Sequence, residues 1–189
     1  MEHRQLHAAK QNSSTMTDRL PISICMIAES EAHRIRCALS SVVDWADEII
    51  LVLNKEVTDG TDRVAAEFGA KVFREPWKGF LAQKNSAVAK ASKEWIFGLD
   101  ADEEVSPDLR DEIRELLSKP KVPCDAYSFP RCTEYAGKWI RHGDWYPDLQ
   151  TRLWRRNSAE WGGVNPHCRI QTQGKVGRLK GDLRHYSME

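Results

Sequence analysis

Two aspartates separated by one small residue, Asp100-Ala101-Asp102, follow directly on the apolar run Trp95-Ile96-Phe97-Gly98-Leu99. In an extended conformation side chains two residues apart point the same way, so both carboxylates can face one divalent cation. Hard oxygen ligands suit Mg²⁺ or Mn²⁺, and such an ion bridging a diphosphate neutralises charge on a departing nucleotide. Asp102 is the first choice as metal ligand, with Asp100 sharing the metal or lying nearer a ribose. Acidic pairs are also common at solvated helix starts, which is the plainer reading of an isolated Asp-x-Asp. Position favours a site, because ligands of open parallel sheets bind beyond the carboxyl ends of the strands. Glu103 and Glu104 read as charges flanking the next helix.

Other side chains add to this chemistry. Lys84, in Gln83-Lys84-Asn85, is a point charge able to neutralise a phosphate, or else a solvated helix lysine. His185 can join carboxylates on a Mn²⁺-like ion as a third ligand, or be structural. Trp139, Trp145, Tyr146, Trp154 and Trp161 crowd the second half of the chain, interleaved with Arg141, Arg152, Arg155 and Arg156. Aromatic faces suit sugars, and arginines suit a phosphorylated or acidic acceptor. Trp154, on an alternating strand, reads instead as core.

The elements that must position these groups follow from periodicity. Ile22-Ser23-Ile24-Cys25-Met26-Ile27 predicts a buried strand, and Ile35, Leu39, Val42 and Val43 then recur on one helix face. Glu48 to Leu53 predicts a second strand, and Thr58-Asp59-Gly60-Thr61 a turn that caps a helix with Val64, Ala65 and Phe68 inward. Lys71-Val72-Phe73, a helix over Phe80 to Ala91, and the strand 95–99 come next. Ser106-Pro107 is a cap and first-turn pair opening a helix through Leu117. Strands alternating with helices on short connections predict an α/β fold with a mainly parallel sheet. Beyond Pro120-Lys121-Val122-Pro123 the pattern changes to strands near 125–131, 150–154 and 168–172 in a mixed, loop-rich second half. The expected organisation is a polar tail over 1–19 and one domain over 20–189, its 20–120 half binding nucleotide and its 121–189 half facing the acceptor.

Composition narrows the classes. At 189 residues one core is expected, and 28 Lys plus Arg balance 28 Asp plus Glu, which argues against nucleic acid as a partner. Five cysteines without a Cys-x-x-Cys pair suggest neither a disulfide framework nor a zinc cage, and suit a reducing cytoplasm. No stretch approaches a signal peptide or a membrane span, so a cytoplasmic protein is expected, with at most peripheral contact at the inner face of the membrane.

Taken in order, Ile22 to Ile27, Trp45-Ala46-Asp47-Glu48-Ile49-Ile50, Thr58-Asp59-Gly60-Thr61, Gly79-Phe80 with Gln83-Lys84-Asn85, and Trp95 to Glu104 resemble glycosyltransferase family 2. The chain is most similar to the branch that adds sugars to the lipopolysaccharide inner core, of the β-1,4-glucosyltransferase type. Trp139 to Asp148 and Gly177 to Leu183 match that branch's later signature. The resemblance implies a GT-A fold, a nucleotide diphosphate sugar donor (a UDP-sugar first), Mg²⁺ or Mn²⁺, and inversion by a single displacement onto a glycan or lipid-linked saccharide. It implies donor contacts at Ala28, Glu31, Asn54, Lys84, Asn85 and Asp100, a metal at Asp102 with Asp100 and His185, and acceptor contacts at Trp145, Tyr146, Arg152 and His167. The base that takes the acceptor proton falls in the segment Asp144 to Asp148. Asp148 is favoured because Pro147 stiffens the loop before it, with Asp144 as runner-up.

Two departures fall in the base subsite. Asn54-Lys55-Glu56-Val57 stands where the family has Asp-Ser-Gly-Ser, and Glu29-Ser30-Glu31 where it has Lys-Asn-Glu. Cys168 also replaces the acid of a His-Glu pair at His167. A second reading therefore keeps the fold as a sugar-nucleotide or glycan binder without the chemistry. A third, a nucleotidyltransferase, lacks its phosphate loop, since Ala28-Glu29-Ser30-Glu31 contains no glycine.

Overall fold

The computed structural model describes residues 19–165 and 167–187. The expected polar tail, apart from Arg19, lies outside the described residues. The first half runs β1 (Leu20–Ala28), α1 (Ile35–Ser40), β2 (Ala46–Asn54), α2 (Thr61–Glu67), β3 (Lys71–Glu75), α3 (Phe80–Ala89) and β4 (Trp95–Gly98), then β5 (Glu103–Val105) and α4 (Pro107–Leu117). In the second half β6 (Ala126–Tyr135) and β7 (Lys138–Trp139) precede a short 3-10 turn at Gly143–Trp145. They are followed by β8 (Asp148–Arg155), β9 (Ala159–Val164), β10 (His167–Thr172), β11 (Val176–Arg178) and β12 (Leu183–Tyr186).

A ten-stranded sheet carries the order β3-β2-β1-β4-β8-β6-β12-β5, with β7 and β11 also paired to β6, while β9 and β10 form a separate hairpin. The four first-half strands β3, β2, β1 and β4 are mutually parallel. β8 then runs antiparallel to both β4 and β6, and β12 runs parallel to β6 and antiparallel to β5. The carboxyl ends of β1, β4, β6 and β12 therefore share one edge of the sheet with the starts of β5 and β8. That edge collects every group discussed below.

Both faces of the sheet are covered, which is why β1 is apolar on both faces apart from Ser23. Ile22, Ile24 and Met26 of β1 join Leu39, Trp45, Leu51, Phe97 and Phe129 in one core cluster. Cys25 and Ile27 point the other way, into a cluster with Ile50, Ile96, Trp154 and Trp161. Phe97 and Phe129 stack with centroids 5.6 Å apart, an arrangement worth about 1 kcal/mol beyond its buried area. Trp154 is fully buried, as its alternating strand predicts.

Local signals set the boundaries. Ser106 Oγ accepts the Leu109 amide at 3.2 Å and Pro107 opens α4, the cap and first-turn pair that the sequence predicts. Asp59 accepts the Thr61 amide at 2.9 Å and the Ala32 amide at 3.1 Å, so the turn before α2 also holds the loop after β1. One expectation fails: Glu103 and Glu104 do not flank a helix but form β5, because antiparallel pairing with Leu183–His185 gives their backbone a partner strand.

Candidate functional site at the carboxyl edge of the sheet

The chain leaves β4 at Leu99, whose amide still bonds Cys25 O of β1, and turns at once. Glu103 N donates to Asp100 O at 3.1 Å, closing a four-residue turn with Ala101 and Asp102 at its tip. Gly98 is required just before it: a Cβ there would lie 2.6 Å from the Trp161 ring. Its absence lets Trp161 lie flat against the strand beneath Asp100.

The two aspartates differ in what surrounds them. Asp100 Oδ1 accepts from Lys84 Nζ at 2.6 Å and Oδ2 from Arg152 Nη2 at 2.9 Å. Lys84 Nζ and the Arg152 guanidinium lie 4.4 and 5.0 Å from the Trp161 ring centroid, so the indole is a floor for both cations. Burial works against the ionised form of Asp100, but Arg152 and Lys84 outweigh it and hold its carboxyl well below the usual range. Arg152 Nη2 also donates to Glu103 Oε1 at 2.9 Å, and burial pushes the Glu103 carboxyl up. Removing both acids from this buried set would strand a guanidinium, at a cost of about 3–5 kcal/mol.

Asp102 stands apart from that set. Its Oδ2 faces His185 Nε2 at 3.5 Å, while Tyr186 N donates to the Asp102 carbonyl at 2.9 Å. His185 Nδ1 lies 3.3 Å from Thr133 Oγ1; the tautomer that donates from Nδ1 leaves the Nε2 lone pair towards Asp102. A cavity of about 360 Å³ opens here, lined by Ala28 at the end of β1 and Glu31 beyond it, by Lys84, and by Asp100, Asp102 and His185. Arg34, paired with Glu31 through both guanidinium and carboxylate forks, and the edge-to-face pair Trp77–Phe80 complete its walls.

Among the described residues no three His, Cys, Asp or Glu side chains converge into a group that would hold a metal unaided. Of the expected set of Asp100, Asp102 and His185, Asp100 has both oxygens engaged by cations. Asp102 and His185 remain as a carboxylate and an imidazole. That pair fits a Mg²⁺- or Mn²⁺-type ion taking its other ligands from phosphate oxygens and water.

Not every expected residue meets in the cavity. Asn54, at the end of β2, donates to Glu29 Oε1 at 3.4 Å and is outside the lining. The Asn85 amide is spent on the Trp161 backbone, donating to its carbonyl at 2.9 Å and accepting its amide at 3.1 Å, and so fixes β9 to α3 instead of facing a donor. Arg152, expected on the acceptor side, is buried under the acids because Asp100 and Glu103 both claim it. Tyr146 donates its hydroxyl to Asp182 Oδ1 at 2.9 Å, while Trp145 is exposed against Tyr135. His167 is exposed at the start of β10 on the separate hairpin.

Of the two base candidates, Asp148 opens β8 opposite Arg131 of β6 and so lies at the same sheet edge as Asp100. Its Oδ2 pairs with Arg131 Nη2 at 2.8 Å and its Oδ1 accepts from Gln150 at 2.7 Å. Arg131 reaches on towards Glu103 Oε1 at 3.9 Å, which joins Asp148 to the Asp100 set. Asp144 is exposed in the 3-10 turn. Glu103, Arg131 and Thr133 are not marked as site residues by the sequence, and Trp161, read there as an aromatic face for a sugar, instead lies under Lys84 and Arg152. Only Glu103 left a local signal, since an acid three residues after a strand end can reach back to its amide as in a capping box.

The chain matches the model of glycosyl transferase family 2 over residues 23–179. It is 40% identical over 183 residues to the uncharacterized glycosyltransferase RP128 of Rickettsia prowazekii, covering 88% of this chain and 60% of that protein. It is 31% identical over 108 residues to the lipopolysaccharide core biosynthesis glycosyltransferase LpsC of Rhizobium meliloti, covering 54% of this chain and 39% of LpsC. Its fold is shared with S. aureus TarS 1-349 solved with UDP-GlcNAc, at a TM-score of 0.66 and 13% identity, over 89% of this chain and 59% of TarS. The chain thus spans about 60% or less of the length of each of these three proteins. Its α/β sheet, parallel in the first half and mixed in the second, is of the GT-A type, and the chain belongs to glycosyl transferase family 2.

Proposed function

We propose that the chain transfers a sugar from a nucleoside diphosphate donor to a saccharide hydroxyl, with inversion by a single displacement. The observation that carries this reading is the cavity at the carboxyl edge, where Asp102 and His185 face one another beside Lys84 and the Glu31–Arg34 pair. A Mg²⁺ or Mn²⁺ ion bound there supplies positive charge to the departing diphosphate. Lys84 adds a fixed ammonium, held between Asp100 and the Trp161 face, so little reorganisation is needed when phosphate charge arrives. Trp77 and Phe80 supply an apolar wall of the cavity against which a sugar face can rest. Asp148 is the proposed base, at the same sheet edge, with Asp144 as the substitute.

The relationship to LpsC, named for lipopolysaccharide core biosynthesis, supports a lipopolysaccharide-core type of acceptor. TarS, solved with UDP-GlcNAc, supports a uridine donor. The described cysteines are all free, and among the described residues no helix is long and apolar enough to cross a membrane; both suit the proposed setting at the cytoplasmic side. Calorimetry with UDP, GDP, ADP and CDP, each with and without Mn²⁺, tests the donor site. UDP should bind roughly tenfold tighter with metal than without, and equal affinities under both conditions would reject the reading.

A further inference from the structure

The donor site as proposed gives no role to the acid directly behind it. Glu103 is almost fully buried and absent from the cavity lining, yet it bonds directly to residues that form it. Its backbone amide donates to Asp100 O at 3.1 Å, and its Oε2 accepts the Asp100 amide at 3.0 Å, so one residue ties both backbone groups of Asp100. Its Oε1 accepts from Arg152 Nη2 at 2.9 Å, the same nitrogen that holds Asp100 Oδ2 at 2.9 Å. In the sheet Glu103 pairs directly with His185, which brings the imidazole opposite Asp102.

We infer that Glu103 is the positioning residue of the donor site: it closes the 100–103 turn from both ends, fixes Asp100 through Arg152, and sets the register that faces His185 towards Asp102. The side-chain type follows from the contacts. Each carboxylate oxygen accepts from a different donor. An amide at this position would turn one N–H₂ towards a donor, and an aspartate would fall one methylene short. Among the described residues the Nε and Nη1 atoms of Arg152 are buried without partners, so its hold on the site runs through Nη2 alone. Without Glu103, Asp100 would be the one carboxylate left to that nitrogen, and the turn carrying Asp102 would lose the bond to its first amide.

The part of this inference that concerns nucleotide rests on the proposed donor site, and the test separates the two. Glu103→Gln and Glu103→Asp are compared with the wild-type chain by amide hydrogen exchange without ligand, by UDP calorimetry with and without Mn²⁺, and by thermal unfolding. Exchange at Asp100 should accelerate roughly tenfold or more in Glu103→Gln while Ile24 and Leu51 in the sheet core stay within about twofold. Mn²⁺-dependent UDP affinity should fall by about tenfold to a hundredfold, and metal-free affinity by less than about twofold. Glu103→Asp should lie between the two proteins. A wild-type chain without metal-dependent UDP binding would reject the donor site, yet faster exchange at Asp100 in the variant would still uphold the hold of Glu103 on the turn. Unchanged exchange at Asp100 would overturn the inference. So would metal-dependent and metal-free affinities that fall equally, or loss of cooperative unfolding in both variants, since Glu103 would then be a residue of general stability.

Discussion

The Asp102 carboxylate faces the His185 imidazole at 3.5 Å on the cavity wall, although one follows β4 in the first half of the fold and the other lies in β12, its last strand. Asp102 is the freer of the paired aspartates, because Lys84 and Arg152 occupy both oxygens of Asp100. Asp102→Asn should therefore weaken Mn²⁺-dependent UDP binding by roughly tenfold or more, with metal-free binding within about twofold. Thr133→Val, which removes the hydroxyl beside His185 Nδ1 but keeps the shape, should weaken it by a smaller factor. Titrations with and without Mn²⁺ that place Asp102→Asn level with the wild-type chain would remove Asp102 from the metal site.

At the opposite edge of the sheet Glu48 contributes to acid stability. Burial opposes its charge, but the Lys71 ammonium at 2.7 Å, the Ser23 hydroxyl, and the Ser92 amide and hydroxyl outweigh it and hold the carboxyl at about 2. The ordinary value of 4.5 applies once the chain unfolds. A depressed folded value means the stabilisation is complete above pH 4.5 and is lost as pH falls towards about 2. Glu48→Gln should cost about 2 kcal/mol at neutral pH and flatten the decline in stability between those limits. Denaturant unfolding across the acid range measures both. Parallel curves for the two proteins would assign the acid sensitivity elsewhere.

The parallel half of the fold was legible because its central strands are short apolar runs and α1 and α2 repeat on one face. Ile22–Ile27, Trp95–Leu99 and Ser106-Pro107 announce their roles without reference to the rest of the chain. The paired aspartates were legible for the same reason, lying straight after such a strand. What could not be read was decided by pairing across the sheet. β5 looks like an acidic helix start until Leu183–His185 lies beside it, and Arg152 looks like a surface arginine until the buried Glu103 is known to pair with it. Asn85 resembles a donor contact in sequence, yet its amide matches the Trp161 backbone far along the chain. Local spacing carries no record of such partners.

Asn54 donates to Glu29 at 3.4 Å near the donor cavity. Asn54→Asp would set two carboxylates against each other there and turn Glu29 outwards, leaving a carboxylate free to accept from a uracil N–H. The ratio of UDP to GDP affinity should rise by about threefold to tenfold, and Glu29→Gln added to it should raise the affinity for UDP further by removing the repulsion. Competition binding of the two nucleotides reads the ratio. An unaltered ratio in both variants would mean that this corner does not meet the base.

The base assignment turns on the Asp148–Arg131 pair. An inverting displacement needs a carboxylate on the face opposite the leaving diphosphate, within hydrogen-bond reach of the attacking hydroxyl. Asp148 lies at the right edge of the sheet, and Arg131 and Gln150 hold its two oxygens in place, so its orientation is fixed before an acceptor arrives. Asp148→Asn keeps the shape but cannot take the proton. Transfer should fall by roughly a hundredfold or more while donor affinity stays within about twofold. The same change at the exposed Asp144 should cost much less. Because Asp148→Asn also takes a charge from Arg131, thermal unfolding must accompany the kinetics: a role confined to the ion pair would lower the melting temperature and leave transfer per folded molecule near that of the wild-type chain. Arg131→Met separates the roles from the other side, since it frees the Asp148 carboxylate without removing it and should retain far more transfer than Asp148→Asn. If Asp144→Asn abolishes transfer and Asp148→Asn spares it, the proton goes to Asp144, and the Asp148–Arg131 pair serves to brace the strand edge beneath Glu103.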